Sequence, residues 1–597
     1  MQTADAILDI YRKRGAEGKP LERVYERLFN REFWYRGYGK IYRNFGAMTP
    51  GSTAETVDGM SVQKIDTIIG LLRMERYKWT PVRRTYIEKA NRKMRPLGIP
   101  TWSDKLLQEV TRLLLESYYE QKFSGHSHGF RPNRSCHSAL REIRRTWKGT
   151  VWFIEGDIKG CFDNIDHTIL LEIIKRDIQD GRLVKLIGGL LEAGYMEDWR
   201  YNETTSGTPQ GGIISPLLAN IYLDELDKFV NDTVIPAYTK GKWRRKQSSE
   251  YTRIDYQIRV AKSRGDLDEI KRLRRMYRVT TRAKPTDPDY RRLRYIRYAD
   301  DFLLGFVGPK SEANDIRQKI GDFLSDKLKL TLSPEKTLIT HAADEKAKFL
   351  GYELSVARVG DLISDYGRRS TNGMIMLRMP RSVVTKYRGL FSKKGKVVHN
   401  GGLINENDYT IVQRYQSVLH GLYNFYSMAI DVGRRMGTVK FILETSMLKT
   451  LAAKHKSKVN SIVKRFKVVT PGTRLFRVKV ERHGKNPLIA EFGGFPLVRI
   501  PDGIGLGEFK YGVAWNIPAN KRSELILRLL AGKCELCGCD GPLNVHHIRA
   551  LADIDRPGRR PKADWEKIMS ARKRKTLVVC GECHGKIHAG KYDGPKL

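Results

Sequence analysis

The amino-acid sequence predicts an α+β protein of several domains, and three observations predict it. Short apolar runs around aspartates, VWFIEGD and LRYIRYADDFLLGF, read as strands of one antiparallel sheet. Apolar residues at helical spacing dominate the chain before and after them. Five of the seven cysteines fall close to the C-terminus, at Cys534, Cys537, Cys539, Cys580 and Cys583, which points to a small metal-stapled module.

Composition narrows the partner. The 597 residues carry 109 Lys and Arg against 67 Asp and Glu, a formal net charge of +42. A surplus that large repels itself until a polyanion screens it. Nucleic acid is therefore expected, with binding that weakens steeply with salt. Seven cysteines are too few for a disulfide framework in a chain this long. The start, MQTADAILDIYRKRG, has no apolar signal core, and no run approaches the roughly 18 apolar residues of a membrane span. A soluble, intracellular protein with no membrane partner is expected, in the cytoplasm of a bacterium or in an organelle.

The elements follow in chain order. AILDIYRKR and LERVYERLF are helical, and GAMTPGSTAETVDG is a loop. Residues 65–145 mix helices with a hairpin, VRRTYIEKANRKMRPLGIP. Val151–Ile154 is a buried strand, and a helix begins near His167. TTSGTPQGGIISPLLANIYLDELDKFV is a Gly- and Pro-rich loop feeding a long apolar helix. Residues 240–294 form a basic insertion with 19 Lys or Arg and 7 Asp or Glu, read as exposed helix. LRYIRYADDFLLGF is strand, tight turn, strand. KLKLTLSPEKTLIT and KFLGYEL add short strands. Residues 376–480 return to amphipathic helices, 481–530 are irregular and basic, and 531–597 are the Cys/His module.

The aspartates suggest chemistry. Adding a nucleotide to a strand needs two divalent cations about 3.5–4 Å apart, held by a few carboxylates on rigid neighbouring strands. Asp157 ends one apolar strand, and Asp300 and Asp301 occupy the turn between two others. Adjacent hairpin residues point to opposite sides. Asp300 is therefore expected to bridge both cations with Asp157, and Asp301 to lie further out.

These motifs carry a resemblance. YADD, with FIEGDIKGCFDNIDH and SGTPQGGIISPLLANIYLDELD upstream, resembles the reverse transcriptase of group II intron-encoded proteins. The bacterial type with a maturase region and a C-terminal HNH endonuclease is the nearest in kind. The likeness continues through NREFWYRGYGKIYRNFGAMTPG, MRPLGIPTWSDKLLQEVTRLLLE, HSHGFRPNRSCHSAL, LSPEKTLITH and FLGYEL, in the family's order. It implies a right-hand polymerase: N-terminal extension and fingers at 1–150, palm at 151–375, thumb or X maturase domain at 376–480. A DNA-binding region at 481–530 and the HNH domain at 531–597 complete it. The resemblance implies Mg²⁺ at Asp157, Asp300 and Asp301. Phe162 resembles the aromatic gate that rejects a ribose 2′-hydroxyl and so selects dNTPs. Gln210 resembles the residue packed against the nucleotide, and Lys89 and Arg95 resemble the grip on its triphosphate. Arg131 is a candidate for template backbone. Lys454, Lys456 and Lys458 are candidates for RNA phosphates, whereas the aromatics of YQSVLHGLYNFYSMA are read as core.

In the last module Cys534-x₂-Cys537 and Cys580-x₂-Cys583 suit one tetrahedral Zn²⁺, with Cys539 an alternative to Cys537. His546-His547 and His584-x₃-His588 resemble the ββα-metal site of an HNH nuclease. That likeness implies His547 as general base and His546, His584 and His588 as ligands of the nuclease metal. One departure stands out: the family's central Asn is replaced by Lys575 or Thr576 in RKTLVVC. The implied partners are the group II intron RNA, a double-stranded DNA target and dNTPs. The implied process is retrohoming by target-primed reverse transcription. The alternative is a splicing-only maturase, an RNA-binding protein with weak or no nuclease.

Overall fold

A computed structural model of the protein describes residues 2–590 apart from 45, 89–93, 205, 209–210, 243–244, 281–286, 358–372, 471–472, 483–484, 504–523, 550–562 and 573. At its centre is a four-stranded antiparallel sheet. The spatial order is Ile339–His341, Trp152–Asp157, Asp301–Val307, Arg292–Tyr298. The two inner strands carry the apolar runs WFI and FLLGFV, because both faces of the sheet are buried there. Ile154, Tyr295, Phe302 and Leu304 face one core, shared with the helix Lys310–Leu328. Their chain neighbours Phe153, Ile296 and Leu303 face a second core, shared with the helix Cys136–Thr146. The period of two along each strand thus feeds two cores at once.

The N-terminal part is helical as expected. Ala4–Ala16, capped by Thr3, and Arg31–Ile41, capped by Asn30, pack on the long helix Trp102–Tyr119. Gly15 is required there, because a Cβ would strike the backbone of Tyr118. The hairpin Val82–Glu88 and Met94–Ile99 forms as read, and Tyr195–Glu197 and Arg200–Asn202 extend it to four strands. The basic insertion is more than a solvated arm. Ser249–Ser263 and Leu267–Val279 pair as a helical hairpin around Ile254, Ile258, Ile270 and Leu273.

Three helices, Asp408–Tyr426, Val432–Lys454 and Val459–Phe466, follow the sheet. Tyr415, Leu419, Tyr423 and Tyr426 are buried, as their spacing indicated. Beyond them the sequence reading is corrected. Lys467–Thr470, Thr473–Arg482 and Lys485–Gly493 form an antiparallel sheet, not a helical end followed by irregular chain. The alternation LFRVKV was the available signal: Phe476 and Val478 are buried, and Arg477 and Lys479 point outward.

At the C-terminal end, Leu543–His547 and Thr576–Cys580 form an antiparallel pair, and the helix Gly581–His588 follows. Val545 and Val578 belong to the same contiguous core as the N-terminal helices. No helix among the described residues is long and apolar enough to cross a membrane.

Candidate active sites

The first site grows from the central sheet. The ladder sets Asp157 directly across from Asp301. Asp300 sits on the turn, next to Ala299 in the left-handed conformation (φ 57°). The carboxylate meeting Asp157 face to face is therefore that of Asp301, where the sequence reading put Asp300. A buried guanidinium fixes the turn. Arg297 Nη1 donates to the Ala299 carbonyl at 2.9 Å, and its Nε donates to Asp227 at 2.8 Å. The loop before the helix Cys136–Thr146 holds the same hairpin, because the His128 amide donates to the Arg297 carbonyl at 2.9 Å.

Crowding of like charge shows in the acidity of these groups. Burial raises the Asp301 carboxyl, and Asp157 and Asp300 raise it further, to about 7. Burial and Asp157 likewise raise Asp300. Lys336, from LSPEKTLITH, answers part of this charge. Its Nζ donates to both oxygens of Asp157, at 2.8 and 2.9 Å. The reading of the sequence gave Lys336 no role, although the motif containing it was noted. Three crowded carboxyl groups, one of them already holding an ammonium, are the oxygen donor set a hard cation fits.

Other expected contacts fall out unevenly. Phe162 lies in a short 3₁₀ turn, half-buried, with its ring edge-on to Phe130 at 6.2 Å. Its carbonyl accepts from the Thr208 amide at 2.7 Å, which docks the start of the Pro-Gln-Gly-Gly loop beside Asp163. Arg95 is exposed on the hairpin. Lys89 and Gln210 lie outside the described residues. Arg131 is corrected: it is buried and spends its guanidinium on Glu120 and the carbonyls of Ser124 and Ser127, so it does not face a template. Lys454 donates to Asp408 at 2.8 Å, whereas Lys456 and Lys458 stay exposed.

The second site lies in the ββα unit. The sulfurs of Cys534, Cys537, Cys580 and Cys583 lie within 4.8 Å of one another and can hold a metal ion. Cys539 stands outside that group, with its Sγ 3.2 Å from that of Cys537. His584 and His588, one turn apart on the helix, converge with His546 on the strand. The Nε2 atoms of His584 and His588 are 3.3 Å apart. Both ring nitrogens of His546 are buried without a hydrogen-bond partner, and a cation held with His584 and His588 would satisfy one of them. His547 points away from them. It is buried, its Nε2 lies 2.9 Å from the Tyr38 hydroxyl, and burial drives its pKa down to about 3. In place of the missing Asn, the Ile548 amide donates to the Lys575 carbonyl at 3.0 Å, and Arg528 donates to the Thr576 carbonyl at 3.0 Å.

The histidine cluster has a fourth member that the sequence did not reveal. Asp58 lies 488 residues before His546 in the chain, yet the two join His584 and His588 in one group of ligand atoms. No short motif links residues so far apart.

A carboxylate-bearing hairpin of this kind, in one chain with a histidine-lined ββα unit, defines a nucleic-acid polymerase that carries its own nuclease-type module. Comparison with known proteins makes this specific. The model of reverse transcriptase (RNA-dependent DNA polymerase) matches residues 87–354, that of type II intron maturase matches 379–492, and that of AI2M/AI1M-like HNH endonuclease matches 534–584. The group II intron-encoded protein LtrA of Lactococcus lactis subsp. cremoris is 38% identical, over 98% of this chain and 99% of its own. An uncharacterized 91 kDa protein in the cob intron of Schizosaccharomyces pombe is 34% identical, over 94% of this chain and 69% of its own. Protein YkfC of Escherichia coli is 33% identical, over 55% of this chain and 82% of its own. The chain belongs to the group II intron-encoded proteins: an RNA-directed DNA polymerase with a maturase region and an HNH endonuclease module.

Proposed function

We propose that the chain copies its own intron RNA into DNA at Asp157, Asp300 and Asp301, on a primer that its HNH module makes by nicking the target. The facing of Asp157 and Asp301 across one ladder, with Asp300 on the adjoining turn, carries this reading. In the reaction the primer 3′-oxygen attacks the α-phosphorus of a dNTP, the bond to the bridging oxygen breaks, and pyrophosphate leaves. Two Mg²⁺ ions, when bound, supply charge neutralisation of the attacking and leaving oxygens. The chain holds three carboxylates in place on rigid strands and releases Lys336 from Asp157 when a divalent ion takes its place. Phe162 stands below the sugar and selects against a 2′-hydroxyl, and Arg95, Lys89 and Gln210 hold the nucleotide.

The domains follow the same reading: fingers and N-terminal extension to 150, palm to 375, thumb and maturase helices to 480, then DNA-binding and HNH regions. The four thiols hold Zn²⁺ and staple the HNH module, whose small core needs it. His546, His584 and His588 hold the nuclease cation, and His547 takes the proton of the attacking water. The net charge of +42 suits simultaneous contact with intron RNA and duplex DNA, which meet in the bacterial cytoplasm.

The test is primer extension by the pure protein on an RNA template with dNTPs and Mg²⁺. Wild type is expected to extend and Asp300→Ala to give no product. Extension by Asp300→Ala at the wild-type rate would remove these aspartates from the chemistry.

A further inference from the structure

A carboxylate from elsewhere in the chain meets the nuclease-type histidines: His546 is buried and His584 largely so, whereas His588 keeps an exposed side chain. It comes from a loop in the N-terminal part of the chain. Asp58 Oδ2 lies 2.7 Å from His588 Nε2, and its Oδ1 lies 3.3 Å from His584 Nε2 and 3.4 Å from His546 Nδ1. The same Oδ1 accepts from the His547 amide at 2.7 Å. Two backbone bonds to one residue clamp the loop along the free edge of the strand. The Gly59 amide donates to the Val545 carbonyl at 3.0 Å, and the Val545 amide donates to the Met60 carbonyl at 2.8 Å. Gly59 makes the approach with φ 73°, a conformation open to glycine.

Three imidazoles around a cation leave positions for water and a phosphate oxygen. A catalytic metal site needs such open positions, and a fourth protein ligand would take one of them. A carboxylate is an anionic oxygen ligand of the kind a phosphodiester offers. Asp58 and a scissile phosphate therefore compete for one place. The docked arrangement also withholds His547, which is 5% exposed and held between Tyr38 and Tyr42. One and the same arrangement thus fills a ligand position with Asp58 and buries the base.

We propose that Asp58 is an intramolecular stand-in for the scissile phosphate. Docked on the N-terminal loop, the HNH module stores its cation in a closed, inactive state, and DNA is cut only when the module leaves this berth. The inference rests on the reading of His546, His584 and His588 as the nuclease metal site. It adds a restraint: the chain cannot nick indiscriminately while the loop is in place. The ligand that displaces Asp58 is the phosphodiester backbone of duplex DNA.

Two readouts test this on the full-length chain with Mg²⁺. The first is nicking of a supercoiled plasmid by wild type, Asp58→Asn, Tyr38→Phe and His588→Ala. The second is amide hydrogen exchange over residues 56–61 and 543–549. Asp58→Asn is expected to nick faster, on the order of tenfold for the loss of about 1.4 kcal/mol of docking. Its Gly59 and Val545 amides should lose protection. Tyr38→Phe removes one hydroxyl, threatens the fold least, and is expected to raise nicking in the same direction. Adding duplex DNA to wild type should likewise raise exchange at Val545. Nicking that falls in Asp58→Asn as it does in His588→Ala would make Asp58 a working ligand and overturn the latch. Unchanged nicking and exchange in Asp58→Asn would overturn it too. Loss of protection in Asp58→Asn, with no nicking by any variant, would sustain the docking contact and defeat the nuclease reading instead.

Discussion

Asp157 has a two-point partner in Lys336, whose side chain is 65% exposed. An ion pair that wet contributes little to stability, roughly 0–1 kcal/mol. Its importance is local: an ammonium offsets one of three crowded carboxylates. Lys336→Ala should leave the melting temperature nearly unchanged and slow single-turnover primer extension several-fold or more. Equal rates for the two proteins would leave Lys336 a bystander. A second residue-scale device is Glu142, which accepts from His126 and, at 3.0 Å, from His128. Burial works to raise its carboxyl, but the two histidines win and hold it down at about 2. The hydrogen bond to Glu142 raises His126 above its ordinary 6.5. A His raised in the folded state stabilises fully below its unfolded pKa and loses that contribution as pH climbs through the folded value. The gap in melting temperature between wild type and Glu142→Gln should therefore narrow as pH is raised upward from about 6.5. A gap that widens would show the sign to be wrong.

At the scale of elements, the hairpin bearing Asp300 depends on a fully buried ion pair. Arg297 meets Asp227 with both side chains at 0% exposure, and the Tyr295 hydroxyl donates to the same carboxylate at 2.8 Å. Removing one partner leaves an uncompensated buried charge, which costs about 3–5 kcal/mol. Asp227→Ala should lower the unfolding midpoint accordingly and impair extension, since Arg297 also ties down the Ala299 carbonyl. Asp227→Ala with wild-type stability would show that the pair is dispensable. Sequence patterning anticipated this hairpin because its second strand is the apolar run FLLGFV and its first, LRYIRY, is rich in strand-forming residues, although it carries Arg294 and Arg297. It did not anticipate the sheet at 467–493, whose basic, half-exposed strands look like solvated chain until Phe476, Val478 and Phe492 are seen to cover the helix Asp408–Tyr426. The basic insertion is helical and mostly exposed, as read, and five apolar residues among many charges are enough to pair its two helices around a core of their own.

At the scale of the whole molecule, the C-terminal module gathers four cysteines able to hold a metal ion, yet its core is continuous with that of the N-terminal helices. Chelation of zinc should therefore abolish nicking and open the module to protease, while primer extension continues, because the aspartates sit on a different sheet. Extension lost in parallel with nicking would mean that the two halves unfold together. His547 of the module meets the helix Arg31–Ile41 at Tyr38, and this is the contact that the proposed latch has to release before DNA is cut.

The chain by itself determined the chemistry that sits in contiguous motifs. Asp157 at a strand end, the Asp300–Asp301 turn, paired cysteines at x₂ spacing and histidines one turn apart were all legible, because local backbone geometry fixes the relation between near neighbours. Tertiary structure alone decided what distance along the chain conceals. It chose Cys537 over Cys539, placed Asp301 rather than Asp300 opposite Asp157, buried Arg131 in a structural role, and brought Asp58 into the histidine cluster. Those outcomes depend on how separately formed surfaces meet, and no periodicity in the residues encodes that meeting.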